Sequence, residues 1–108
     1  MNTIFPDIIK SIPERDYGIE GLIVHEDHTS QGTIYFIHAQ KEIEFPEHAH
    51  EEQWTVVLSG KCTLTMNGET KTYQQGDTYL IPSGMKHQIK FHAGYSEVDY
   101  INNPHDSK

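Results

Sequence analysis

From Gly18 onward the chain is a succession of short β-type runs, each closed by turn residues, and no stretch of helix length interrupts them. Residues 19–25 alternate loosely and lead into a polar loop, His25-Glu26-Asp27-His28-Thr29-Ser30-Gln31-Gly32. Residues 33–39 are β-branched and aromatic, and a second such run at 53–58 is closed by Ser59-Gly60. Residues 61–66 enter Asn67-Gly68, the strongest hairpin signal in the chain, and 70–73 pair back. Gln74-Gln75-Gly76-Asp77 turns again, 78–81 is a strand, and Pro82-Ser83-Gly84 is a turn. The last strands fall at 87–91 and 96–101, with Ala93-Gly94 between them. Short strands at roughly 8–12-residue spacing indicate an all-β sandwich or barrel, here of about six to eight antiparallel strands. A parallel α/β sheet is excluded by the lack of crossover helices.

Before Gly18 the pattern differs. Ile4, Phe5, Ile8, Ile9 and Ile12 recur at helical spacing, Pro6 suits a first helical turn, and Pro13 stops it. One short helix or turn is expected in an N-terminal arm, 1–18, packed on the body or on a neighbouring subunit. With no repeat, low-complexity tract or linker, 1–108 is expected to be a single domain.

Composition narrows the function classes. Only 35% of the 108 residues are apolar and mean hydropathy is -0.64, so the core must be modest and a partner subunit is expected to cover some surface. A net charge of -8 disfavours nucleic acid and anionic membranes as partners. No apolar run approaches the ~20 residues of a membrane span. Residues 1–15 lack the basic and apolar regions of a secretory leader, and the single Cys62 excludes an intrachain disulfide, so a cytoplasmic location is expected. Histidine stands out: eight residues, against eight lysines and arginines combined.

The histidines concentrate chemistry in Glu47-His48-Ala49-His50-Glu51-Glu52-Gln53. If this segment enters a strand, His48 and His50 project from one face and make half of a metal site. Two exposed loop histidines are the plainer alternative. Downstream, Gly76-Asp77-Thr78-Tyr79-Leu80-Ile81-Pro82-Ser83-Gly84-Met85-Lys86-His87 runs glycine turn, strand, proline turn, histidine. The Pro82–Gly84 turn can swing His87 back toward His48 and His50.

Together these segments resemble the two motifs of a small single-domain cupin. The first motif runs His-x-His, an acid a few residues on, then six residues and a glycine; here stand His48, His50, Gln53 and Gly60. The second runs glycine, five residues, Pro-x-Gly, two residues, histidine; here stand Gly76, Pro82, Gly84 and His87. The resemblance covers 33–101 as the core barrel and implies a cupin jelly roll, a double-stranded β-helix. It further implies a homodimer and one divalent transition metal per chain (zinc, nickel, iron, cobalt or manganese) on His48, His50, Gln53 and His87. The chain departs from the pattern at Glu42 for a glycine, Phe91 for an asparagine, and Gln53 for the acid. Glu51 or Glu52 would substitute if the register slipped.

The amide at Gln53 removes one negative charge from the ligand set, which leaves the ion a stronger Lewis acid and disfavours a higher oxidation state. That favours isomerisation or elimination on a small polar carboxylate over oxygenase chemistry. Some glutamine-bearing cupins act on unsaturated sugar acids. Their last strand carries an aspartate, then a phenylalanine, then an arginine; here stand Asp99, Ile101 and His105, a partial match. Asp99 is thus the candidate catalytic residue, with a solvated strand position as the alternative. The expected function is a metal-dependent isomerase or lyase. A non-enzymatic small-molecule-binding cupin is the second reading and a metal-dependent dioxygenase the third.

Remaining positions have plainer roles. With Gln53 inward, Thr55 and Val57 follow it, and Trp54, Val56 and Leu58 face outward toward packing or a subunit interface. Phe36 or His38 could line the pocket, His38 even as a further ligand. Tyr79, Tyr95 and Tyr100 are hydrogen-bonding or packing groups. Cys62, Met66 and Met85 are packing residues, and His25, His28, His92 and His105 are expected on the surface.

Overall fold

The structure, a computed structural model, describes residues 4–103. It consists of a short helix, α1 (Asp7–Lys10), and nine strands: β1 (Leu22–His28), β2 (Gly32–Ala39), β3 (Ile43–His48), β4 (Gln53–Ser59), β5 (Lys61–Met66), β6 (Glu69–Gln74), β7 (Thr78–Ile81), β8 (His87–Phe91) and β9 (Tyr95–Asn102). All pairings between them are antiparallel. One sheet runs β1-β2-β9-β4-β7 and the other β3-β8-β5-β6. The expected all-β jelly roll is therefore present, with nine strands rather than six to eight. Among the described residues no helix is long and apolar enough to cross a membrane.

Alternation decides which face meets the core. On β4, Gln53, Thr55 and Val57 are buried while Trp54 is exposed. On β8, His87, Ile89 and Phe91 are buried between the more accessible Gln88 and Lys90. The inward residues of both sheets meet in one apolar cluster that includes Val57, Leu64, Ile81, Ile89 and Phe91. Asn67 and Gly68 both take positive φ, 52° and 77°, which is the turn their sequence predicts for the β5–β6 hairpin. Gly60, where the chain passes from one sheet to the other, combines φ 68° with close approach. A Cβ there would lie 2.9 Å from the Tyr95 Cα.

Several local expectations change. The strand expected at 19–25 runs from Leu22 to His28, and the polar loop shrinks to 29–31. His28 pairs with Thr33 and carries the ladder through residues whose polarity suggested a loop. α1 spans four residues with none buried, and Ile8 is 77% exposed. The arm is held instead by Phe5, packed edge-on against Phe36 with centroids 5.9 Å apart. His25, expected on the surface, is buried and bonds the Ile12 carbonyl through Nδ1 at 2.8 Å. β3 went unassigned because Pro46 cannot donate to a ladder, and the strand tolerates it through a register shift between Phe45 and His48.

Candidate metal centre and cavity

His48 ends β3, His50 lies in the loop before β4, and His87 opens β8. The two histidines of the first motif therefore do not share a strand face, contrary to expectation. They converge because the backbone turns after His48. His48 and His87 are partners in the β3–β8 ladder, and ring centroids are 5.3 Å apart for His48–His50, 4.3 Å for His48–His87 and 4.8 Å for His50–His87. The second motif's turn is tied to the first directly: the Gly84 N–H donates to the His50 carbonyl at 2.9 Å. Gly84 does so at φ 78°.

One ring nitrogen of each histidine is already engaged. The Nδ1 of His48 meets the Pro46 carbonyl at 2.7 Å, that of His50 the Glu51 carbonyl at 2.7 Å, and that of His87 the Met85 carbonyl at 2.9 Å. A carbonyl only accepts, so each Nδ1 carries the proton and each Nε2 keeps its lone pair. One ligand atom from each ring falls within 4.8 Å of the other two, so the three could hold a metal ion. Burial pulls the His87 pKa down, opposed by the Met85 carbonyl, and the neighbouring His48 and His50 lower it further. The neutral imidazole that a metal requires is thereby favoured.

Gln53 is buried, and its Nε2 donates to Thr55 Oγ1 at 2.8 Å. The Thr55 hydroxyl in turn donates to Asp99 Oδ1 at 2.7 Å. Its single proton is thus spent on Asp99, so Thr55 must accept from the amide, and the Gln53 oxygen is left for the cavity. Glu51 and Glu52 do not line that cavity, whereas Gln53 does.

The cavity lies between the sheets and has a volume of about 270 Å³. That is near the lower end of the ~300–1,000 Å³ typical of small-molecule sites. His48, His50, Gln53 and His87 share it with Tyr79, Glu97 and Asp99, amid aliphatic side chains such as Ile37, Ile81 and Ile89. Among the described residues, no lysine or arginine lines it. Asp99 is not a solvated strand residue: it is 4% exposed and faces this space. Burial, then the Glu97 charge and a hydrogen bond with Glu97, push its carboxyl well above the usual carboxylate range.

Other expectations are revised by the register of β2. Tyr35 and Ile37 line the cavity, not Phe36 or His38. His38 points away, its Nδ1 2.7 Å from Ser96 Oγ. Tyr79 and Tyr95 are buried and both bond Glu97. Cys62 is buried with its thiol pushed up to about 12 by burial, which makes it inert. His105 lies outside the described residues. Glu97 was missed, as were Tyr17, which brings the arm to the cavity wall, and Ile19 just after it. The signal for Glu97 was present: period two from an inward Asp99 turns Glu97 inward as well.

Two antiparallel sheets with three histidines at one cavity define the cupin class. The Cupin_2 cupin-domain family matches residues 32–100, and the chain belongs to it. An uncharacterised protein of Aquifex aeolicus is 30% identical over 96 residues, 88% of this chain and 77% of its own length. An RmlC-like cupin from Shewanella frigidimarina superposes with TM-score 0.77 at 20% identity, covering 90% of this chain and 88% of its own. KdgF from Halomonas sp. gives TM-score 0.74 at 19% identity, covering 90% and 92%. Oxalate decarboxylase of Bacillus subtilis gives TM-score 0.75 at 17% identity, covering 92% of this chain and 29% of its own.

Proposed function

We propose that the protein is a metal-dependent isomerase or lyase acting on a small carboxylate-bearing molecule of the sugar-acid type. One divalent transition metal per chain would be held by His48, His50, Gln53 and His87. The observation that carries this reading is the shared arrangement of the three imidazoles. Each Nδ1 proton is committed to a backbone carbonyl, and three Nε2 lone pairs are left to converge. A divalent ion bound by these four neutral donors would supply a Lewis acid for substrate oxygens.

The chain's own groups do the rest. Asp99, a neutral acid inside the cavity, is placed to give a proton to the bound molecule and take it back. The Gln53–Thr55–Asp99 chain fixes the orientation of amide and acid together. Aliphatic walls keep water scarce around them. Oxalate decarboxylase, whose Mn(II) centres are the subject of one matching structure, shows the fold supporting such a metal. Titratable groups inside the cavity favour turnover over simple binding, since an apolar lining would serve a binder equally well.

Elemental analysis of purified protein, with identification of any copurifying small molecule, tests the reading. The expected result is one divalent ion per chain, lost in the His48→Ala and His87→Ala variants. Protein that takes up no divalent ion overturns it. A bound molecule released unchanged after prolonged incubation points to the non-enzymatic binding module instead.

A further inference from the structure

Tyr95, Glu97 and Asp99 share the inner face of β9, and they are 0%, 1% and 4% exposed. A buried carboxylate needs donors. Those of Glu97 come from two elements. The Tyr79 hydroxyl on β7 donates to Glu97 Oε1 at 3.0 Å, and the Tyr95 hydroxyl donates to the same oxygen. Burial pushes both tyrosines well above the usual phenol range, so both keep their protons.

Asp99 receives one donor, the Thr55 hydroxyl on β4, at Oδ1. It lies two residues from Glu97 on the same inner face of β9, and both carboxyl groups line the same cavity. Two buried carboxyl groups so placed can bond each other only if one of them carries a proton. The remaining neighbours do not change this count. Tyr35 from β2 and Cys62 from β5 are neutral acids, and among the described residues no lysine or arginine lines the cavity. His48, His50 and His87 share the cavity, but in the metal-free site two carboxylates on neighbouring inward positions of one strand, with no lysine or arginine beside them, would repel strongly.

We infer that Glu97 and Asp99 share a single proton, with Glu97 the anion clamped by two tyrosine hydroxyls and Asp99 the neutral acid presented to the cavity. Every donor then has an acceptor. Tyr79 and Tyr95 give to Glu97 Oε1, Asp99 gives to Glu97, Thr55 gives to Asp99 Oδ1, and Gln53 gives to Thr55. Among the described residues, no buried side-chain nitrogen or oxygen lacks a partner. Glu97 is thus a positioning residue: it orients Asp99 and holds the proton on it. The consequence for catalysis rests on the enzyme reading above, whereas the shared proton stands apart from it.

Carbon-13 NMR titration of the carboxyl carbons, on metal-free and zinc-loaded full-length protein, tests the inference. At pH 7 the wild type is expected to show Asp99 protonated and Glu97 ionised. In Glu97→Gln the amide replaces the anion, so the Asp99 midpoint should fall by at least one pH unit. Asp99→Asn should fold with Glu97 still ionised, because the new amide donates to Glu97 and accepts from Thr55 as the neutral acid does. Both carboxyls ionised at pH 7, or an Asp99 midpoint indifferent to Glu97→Gln, would overturn it. If Glu97→Gln fails to fold, Tyr79→Phe serves instead. Removing that donor weakens the clamp on the anion, so the midpoint at which the pair loses its first proton should rise, and no movement overturns the inference. Zinc content of the same wild-type samples judges the metal reading separately: protein without zinc sinks that reading and leaves the titration to decide the carboxyl pair.

Discussion

His48 and His87 are direct cross-strand partners in the β3–β8 ladder, their rings 4.3 Å apart at the centroids. Ladder geometry therefore sets the separation of these two groups before any ion arrives. Removing either should cost more than the ~10–100-fold in metal affinity typical of an outer-sphere partner. Gln53→Ala should cost less, since a neutral amide is the weakest of the four donors. Isothermal titration with zinc on metal-free protein checks the order. Unchanged affinity in both His48→Ala and His87→Ala would show that the metal site lies elsewhere.

Gln53→Glu restores the negative charge that the chain lacks at this position. The variant should keep the ion and shift its preference toward harder or more oxidisable metals, such as manganese and iron over zinc. The substitution also deletes the Nε2 donor to Thr55, so a small loss of thermal stability should accompany it. Competition between manganese and zinc at fixed total metal measures the shift. An unchanged ratio would mean that residue 53 does not ligate.

Much of this architecture was legible in the sequence, and the failures share a cause. β5, β7 and β8 fall where their turn residues placed them, because Asn67-Gly68, Gly76-Asp77 and Pro82-Ser83-Gly84 punctuate the chain unambiguously. β1 and β3 were misplaced or missed where polar residues or Pro46 occupy ladder positions that pairing with a neighbour makes tolerable. The histidine spacing identified the cluster, but not that His50 would leave the strand. Glu97 escaped because an acid on a strand is ordinarily an outward residue. Here two tyrosines from the inner faces satisfy it. Sequence shows alternation well, but it does not show which polar residue has found a buried partner.

Metal affinity should fall steeply below about pH 6.5, the ordinary histidine midpoint, because binding requires three neutral imidazoles and displaces protons from any that are charged. Burial, with His48 and His50 beside it, holds His87 below the usual imidazole range and so favours the neutral ring that the metal needs. The metal-free fold should weaken over the same range. His38 and His87 are both held below their unfolded pKa, so the unfolded chain binds more protons as pH falls. Zinc titrations and melting temperatures between pH 5 and 8 check both statements. Affinity that is flat across this window would contradict three histidine ligands.

Trp54 and Leu80 face each other across the β4–β7 ladder on the outer surface, and each is 46% exposed. Tyr100 and Ile34 continue the same row across the sheet. Such a face on so small a core is expected to pair with a second copy of the chain. Trp54→Lys should then cost about 2 kcal/mol or more, the scale of an aromatic interface anchor. That is roughly thirtyfold in dimer affinity. Sedimentation of the wild type at micromolar concentration should show the dimer, and a lone 12.4 kDa species would reject it.

The buried carboxyl pair should leave a mark on stability opposite in sign to that of the histidines. Asp99 titrates above its unfolded value when folded, so the contribution of its proton is complete below about pH 4. As pH rises past that point the unfolded chain ionises while the folded one does not, and stability is lost at up to about 1.4 kcal/mol per pH unit. The loss ends only where the folded carboxyl itself ionises. Asp99→Asn has no proton to lose and keeps the same hydrogen bonds. Wild type and variant should therefore melt alike near pH 4 and diverge as pH rises, with the variant more stable at neutrality. The histidine contributions are common to both proteins and cancel in the difference. Melting curves from pH 4 to 8 measure it, and parallel curves would mean that Asp99 is ionised in the folded protein.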